Sequence, residues 1–261
     1  MTEEKARLDL LLVEKGLAPS RTKAQALILA GQVRVNGVLV DKPSALIARS
    51  AFLEVLAPPK YVSRGGEKLA AALQAFRLDP SGKVCLDIGA STGGFTDCLL
   101  QHGAARVYAV DVGRGQLHWK LRQDPRVVVK EGLNARFLKP EDIGEPVDLV
   151  TIDVSFISLR LILPRLVGIV RKEGDVVPLV KPQFEAGREH VRKGVVRDPR
   201  VHRAVLEELV RFVREELGWS VRNGVASPLL GPEGNREFFL HVVPRPGEDQ
   251  ELPWAELGLS A

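Results

Sequence analysis

Lys83-Val84-Cys85-Leu86-Asp87-Ile88-Gly89-Ala90-Ser91-Thr92-Gly93-Gly94-Phe95 decides the fold. A short apolar run, 83–88, stops at a glycine-rich turn, and a helical pattern over 93–101 follows. Apolar runs of this length bounded by glycine read as buried strands. Glycines in such a turn let the backbone bend tightly and approach a ligand closely. The spacing is neither G-x-G-x-x-G nor the G-x-x-x-x-G-K of a phosphate loop, since no lysine follows. A second apolar run, 106–110, ends on Asp111, 24 residues after Asp87. A carboxylate there can accept both hydroxyls of a ribose. Asp87 can accept from a ligand ammonium or orient the loop.

The alternation continues outward. Residues 126–130, 147–152 and 175–180 are three more apolar runs, and 66–76 and 202–217 are helical in period. Residues 159–170 also carry a helical period, with Pro164 near the first turn or at a kink. Residues 220–225 and 237–243 read as closing strands. Strands alternating with helices predict an α/β unit of Rossmann-like type, a mostly parallel central sheet flanked by helices. Ligands then bind at the carboxyl ends of the strands.

Residues 1–57 follow another pattern. A helix is expected over 5–15, with Leu8, Leu11 and Leu12 inward and Gly16 as its stop. Ser20 is a good N-cap for a second helix over 21–30, and Asn36-Gly37 centres a hairpin over 32–40. The result is a small α+β domain. Prolines at 58 and 59 mark a linker, taken as 58–62, before a larger domain over 63–245 and an acidic tail over 246–261.

Of the 261 residues, 45% are hydrophobic and 27% charged, enough for a sizeable core and too apolar for global disorder. The two cysteines, Cys85 and Cys98, sit in apolar settings, so a disulfide-stapled secreted scaffold is not expected. Cys98 reads as packing within its helix. With no signal-peptide pattern and no run near 18 apolar residues, the expected location is the cytoplasm, with no membrane partner. The net charge of +4 divides into +3 over 1–60, +5 over 61–245 and −4 over 246–261, a basic body suited to a polyanion. The five histidines and two cysteines show no metal-ligand spacing, so no metal is expected. The oligomeric state stays open.

Asp153 closes the run 149–152, Lys181 closes 176–180, Glu237 opens the last strand, and Lys68 sits on the helix before the first. Ionisable residues closing apolar strands at the ligand-bearing edge point to chemistry more often than to packing. Around them stand Tyr61-Val62-Ser63-Arg64-Gly65-Gly66-Glu67-Lys68-Leu69, Asp153-Val154-Ser155-Phe156-Ile157-Ser158-Leu159, Leu179-Val180-Lys181-Pro182-Gln183-Phe184-Glu185 and Gly234-Asn235-Arg236-Glu237.

With the turn at 87–95, these stretches resemble the TlyA family of ribosomal RNA ribose 2′-O-methyltransferases, related to FtsJ-type enzymes. The N-terminal domain resembles the S4 RNA-binding domain, through Arg7-Leu8-Asp9, Gly16-Leu17, Ser20-Arg21, Ala24 and Val33-Arg34-Val35-Asn36-Gly37. The resemblance implies a catalytic set of Lys68, Asp153, Lys181 and Glu237. It also implies S-adenosylmethionine as cofactor, held by Asp87, Gly89, Ala90, Ser91, Thr92, Gly93, Gly94, Phe95, Asp111, Asn134 and Asp153. The expected reaction is 2′-O-methylation of a cytidine ribose, and the expected partners are ribosomal RNA or ribosomal subunits.

The residue types suit that reaction. A ribose hydroxyl is far less acidic than a lysine ammonium in water. Lys181 is the candidate base or steering group. A lysine that accepts the proton must be neutral, which a nearby cation favours and the two acids oppose. Methyltransferases acting on exocyclic amines carry Asp/Asn-Pro-Pro-aromatic, where this chain has Asp153-Val154-Ser155-Phe156. Arg7, Arg21, Lys23 and Arg34 in the small domain, with Arg64, Arg188, Arg192 and Lys193 in the large one, are candidates for RNA phosphates. The basic segment 188–203 could close over RNA or cofactor, or be a plain exposed connection. Two rival classes are a non-catalytic RNA-binding assembly factor and a membrane-lysing protein, the latter because members of the family carry a haemolysin label.

Overall fold

The computed structural model describes residues 4–57, 59–247 and 250–260. The chain forms two compact units that part between Pro59 and Lys60.

The first unit runs β1 (Lys5–Arg7), α1 (Leu8–Glu14), α2 (Arg21–Leu29), β2 (Val33–Val35), β3 (Val38–Leu39), β4 (Leu46–Ala48) and β5 (Leu53–Val55). The helix expected from residue 5 starts at Leu8, because Lys5, Ala6 and Arg7 pair antiparallel with β4. α2 follows the prediction, and the backbone N–H of Lys23 donates to the Ser20 cap at 3.3 Å. Asn36 and Gly37 take positive φ of 49° and 81° and turn β2 into β3. β5 adds to the far edge of β2. Leu8, Leu11, Leu12, Ile28 and Val33 form the core.

The second unit runs α3 (Gly65–Phe76), β6 (Val84–Ile88), α4 (Gly94–Gln101), β7 (Arg106–Asp111), α5 (Trp119–Arg122), β8 (Val127–Glu131), α6 (Pro140–Ile143), β9 (Val147–Ile152), β10 (Val170–Val180), α7 (Pro182–Glu185), α8 (Pro199–Leu217), β11 (Ser220–Ala226) and β12 (Phe238–Val243). The seven strands lie in the order β11-β12-β10-β9-β6-β7-β8. β12 alone is antiparallel to its neighbours. Side chains alternate across the sheet, as strand geometry requires. Leu86, Tyr108 and Val110 join a core with α8, whereas Cys85, Val107 and Ala109 join one with α3 and α4. The chain enters the sheet at β6, moves out through β7 and β8, and returns to β9 on the other side of β6. The switch point therefore lies at the carboxyl ends of β6 and β9, where a crevice forms.

Three expectations change. Residues 159–170 are two 3₁₀ turns, Leu159–Leu161 and Leu163–Leu166, and then the start of β10. Pro164 has no N–H to give a continuous helix. Residues 61 and 62 are part of the fold rather than a linker: Tyr61 is buried, and Val62 N donates to Asp97 Oδ2 at 2.8 Å. The tail read as acidic places Leu252, Leu257 and Leu259 in the core beside α8, while Glu248 and Asp249 lie outside the described residues. Cys85 and Cys98 are free thiols, and burial pushes both up to about 12. No helix of the described residues is long and apolar enough to cross a membrane.

Candidate active site

The glycine-rich turn is built against two neighbours. Gly89, at φ 83°, abuts the end of β9 so closely that a Cβ would lie 2.3 Å from the Asp153 carbonyl oxygen. Gly94 abuts the start of α3, where a Cβ would lie 2.2 Å from Ser63 Oγ and 3.0 Å from Gly66 N. Any larger residue at either position would push the loop off the sheet edge.

Asp87 lies behind this turn and is fully buried. Thr96 Oγ1 donates to it at 2.7 Å and Thr151 Oγ1 at 3.2 Å. Burial pushes its carboxyl up to about 7, against the two threonine hydrogen bonds. Of the two roles open to Asp87 from sequence, its burial away from both cavities supports the orienting one. Gly93 is likewise buried, packed on Leu117 and Leu121. The other cofactor candidates line two adjoining cavities that share Gly89, Ser91 and Asp153.

The larger cavity, about 380 Å³, has apolar walls from Val112, Leu133 and Ile162, with Asp111 and Asn134 at its edge. Asp111 Oδ2 accepts from Ser91 N at 2.8 Å and Oδ1 from Gly113 N at 2.7 Å. Each oxygen keeps a lone pair for a further donor. An apolar slot beside a fixed carboxylate suits a nucleoside, with the base between the walls and the ribose hydroxyls on Asp111.

The smaller cavity, about 270 Å³, gathers Lys68, Asp153, Lys181 and Glu237 from four elements. They form two ion pairs. Lys68 Nζ donates to Glu237 Oε2 at 2.6 Å, and Lys181 Nζ lies 2.7 Å from Asp153 Oδ1. Lys181 also donates to Ser155 Oγ at 2.9 Å. Glu237 Oε1 is buried without a hydrogen-bond partner among the described residues, so a donor entering this cavity meets a ready acceptor. Among the described residues no cluster of His, Cys, Asp or Glu is placed to hold a metal ion.

Sequence reasoning missed Phe156, which is 90% exposed, has φ 63° and lies with its ring 5.0 Å from that of Phe184. It also missed Ser63, which lines the smaller cavity, and Ser155. Only the shared motif stretches could have pointed to them.

The basic candidates divide. Arg64 lines the smaller cavity. Arg188, Arg192 and Lys193 are exposed on a segment whose following residues, Val195 and Val196, are buried. Asn235 anchors that segment, accepting from Val196 N at 3.2 Å and donating to Gly194 O at 2.9 Å. Lys23 and Arg34 are exposed on the first unit. Arg7 and Arg21, however, grip the buried Asp9 at 2.9 and 3.0 Å, with Gln25 at 2.8 Å. The Arg7 guanidinium holds that carboxyl well below the usual carboxylate range. These two arginines therefore have a structural task within the unit.

Residues 61–243 match the FtsJ-like methyltransferase family and residues 6–51 the S4 domain. The 16S/23S rRNA (cytidine-2′-O)-methyltransferase TlyA of Mycobacterium tuberculosis is 52% identical over 240 residues, 90% of this chain and 89% of that one. The chain belongs to the TlyA family. A TlyA of Campylobacter jejuni, named for 23S rRNA alone, is 34% identical over 88% of this chain and 97% of its own length. A solved structure from Streptococcus thermophilus, described as a hemolysin, superposes with TM-score 0.75 at 44% identity, covering 99% of this chain and 95% of that one. The FtsJ-like match over 61–243 includes Lys68, Asp153, Lys181 and Glu237 of the smaller cavity.

Proposed function

We propose that this chain transfers a methyl group from S-adenosylmethionine to the 2′-hydroxyl of a cytidine in ribosomal RNA, acting in the cytoplasm on RNA or ribosomal subunits. The observation that carries the reading is the pairing of Lys68 with Glu237 and Lys181 with Asp153 around one cavity that opens onto the nucleoside-shaped slot. Cytidine and ribosomal RNA come from the names of the TlyA relatives.

The cofactor, when bound, supplies a methyl on an activated sulfonium. What the chain must add is alignment and a place for the proton, and alignment alone is worth several kcal/mol. Asp111 would hold the ribose hydroxyls of the cofactor, and Val112, Leu133 and Ile162 would hold its base. Lys181 receives or steers the substrate hydroxyl, with Asp153 fixing its position. Glu237 holds Lys68 through one oxygen and offers the other to the substrate. Lys23, Arg34, Arg64, Arg188, Arg192 and Lys193 supply phosphate contacts, which orient the RNA without reading its sequence.

The test is labelled-methyl transfer to separated small and large ribosomal subunits, followed by mapping of the modified ribose. Lys181→Ala is expected to lose transfer while binding S-adenosylmethionine normally by calorimetry. Unchanged turnover in that variant would overturn the assignment. A wild-type chain that binds subunits and transfers nothing would make it an assembly factor.

A further inference from the structure

The loop after β9 and the turn after β10 are fastened to each other at three places. Lys181 Nζ reaches Asp153 Oδ1 at 2.7 Å and Ser155 Oγ at 2.9 Å. The Phe156 and Phe184 rings lie 5.0 Å apart. Glu185 accepts from Ser158 Oγ at 2.6 Å with Oε2 and from Leu159 N at 2.8 Å with Oε1.

An ammonium has three N–H directions. Ser155 Oγ takes one of those on Lys181 as a hydrogen bond, while Asp153 Oδ1 holds the head by charge at 2.7 Å without accepting a hydrogen bond. The N–H directions lie off the axis of the last bond, so the hydrogen bond to Ser155 alone stops rotation about it and fixes where the other two point. One of those directions is left for a hydroxyl in the cavity that Lys181 lines. Ser155 holds its place only while the loop does, and the loop is not relaxed. Phe156 sits at φ 63°, a left-handed conformation that costs a non-glycine residue on the order of 1 kcal/mol. Glu185 secures the far end of the loop through a hydroxyl and an amide. Its carboxylate is largely withdrawn from water, which pushes its proton affinity up against those two hydrogen bonds. It lines neither cavity, so contact with substrate does not account for it.

We propose that Ser155 and Glu185 are positioning residues for Lys181: Ser155 aims the ammonium, and Glu185 holds the loop that carries Ser155. The proposal rests on the methyl-transfer reading above.

The experiment is steady-state methyl transfer to isolated ribosomal subunits by the full chain, with cofactor affinity measured by calorimetry and folding by thermal melting. Ser155→Ala and Glu185→Ala should each lower kcat by roughly tenfold to a hundredfold, the size expected when a reacting group is slightly misplaced. For Glu185→Ala, which lines neither cavity, KM for RNA and Kd for S-adenosylmethionine should stay within about twofold, whereas Ser155 lines the nucleoside slot, so its variant is read in kcat at saturating cofactor. Ser155→Thr, which keeps the hydroxyl, should regain most of the loss. So should Glu185→Gln, whose oxygen can accept from Leu159 N while its amide donates to Ser158. Read on the residual single-turnover rate of Lys181→Ala, adding Ser155→Ala should cost nothing further, because the two act through one group. If Glu185→Ala does not fold, the Gln variant and the Ser155 pair decide. Unimpaired kcat in Ser155→Ala, loss confined to KM or cofactor binding, or a full further loss on top of Lys181→Ala overturns the proposal. An active wild type with any of these results leaves the methyl-transfer reading standing, whereas an inactive wild type overturns both.

Discussion

Lys68 and Glu237 meet at 2.6 Å although 169 residues separate them in the chain. The Lys68 side chain is 11% exposed and that of Glu237 is fully buried, so both charges have left water for each other. Removing one partner strands the other in a medium of low polarity, at a cost of about 3–5 kcal/mol, whereas replacing both with apolar residues can be nearly neutral. Lys68→Ala and Glu237→Ala should therefore each lower the melting temperature of the second unit by roughly 5–15 °C. The double variant Lys68→Met/Glu237→Leu should lose much less than the sum, and all three should lose methyl transfer. A calorimetric double-mutant cycle reads this directly. Small additive effects would show that the pair does not carry the stability assigned to it.

Asp87 predicts a pH dependence. Its folded-state carboxyl titrates at about 7, above the ordinary value of 3.8, because burial disfavours the anion. Below about pH 4 the group is protonated in both states and costs nothing. As pH rises toward 7 the unfolded chain releases the proton while the folded chain keeps it, so stability falls across that window and levels off above it. Asp87→Asn cannot ionise, and its amide can still meet Thr96 and Thr151. Relative to wild type, the variant should gain on the order of a few kcal/mol between pH 5 and pH 8. Urea unfolding at the two pH values measures it, and a difference that does not change with pH would refute the account.

The parts of the site legible in the sequence are those written in consecutive residues. The strand-turn-helix at 84–101 and the ionisable residues at strand ends announce themselves, because an apolar run that stops on a charge is locally unusual. What stayed hidden depends on partners far along the chain. Nothing near Glu185 announces that it meets Ser158, and nothing near Arg21 announces Asp9. β1 is three residues long and exists through its pairing with β4, so its local pattern joined the following helix. Residues 159–170 carried a helical period that Pro164 and the 3₁₀ turns override. At the C-terminus four acids dominated the reading, while Leu252, Leu257 and Leu259 did the packing.

That last segment carries its own prediction. Leu257 and Leu259 are each 1% exposed and Leu252 4%. Arg236, next to Glu237, donates to the Leu257 carbonyl at 2.8 Å, and the Arg203 guanidinium lies 4.6 Å from the centre of the Trp254 ring. Truncating a buried leucine to alanine costs about 2–5 kcal/mol. Leu257→Ala should lose about that much in urea unfolding, and a chain ending at residue 247 should lose more than the single variant. A truncated chain as stable as the full one would mean that the segment merely rests on the surface.

Arg188, Arg192 and Lys193 are exposed on a segment that Asn235 pins beside the strand leading from Glu237. Charges held at a fixed place can meet phosphates in a fixed register, and each such contact releases counterions when RNA binds. Replacing all three with glutamine should reduce the slope of log affinity against log salt by about 2–3 if all three touch phosphate, at roughly 0.7–0.9 per contact. Affinity for S-adenosylmethionine should not change, because none of the three lines the nucleoside slot. Arg7 and Arg21 offer the contrast: with both on Asp9, Arg21→Ala should lower the melting temperature of the first unit as well as RNA affinity. A triple variant with an unaltered salt slope would make the 188–193 segment a plain connection rather than an RNA contact.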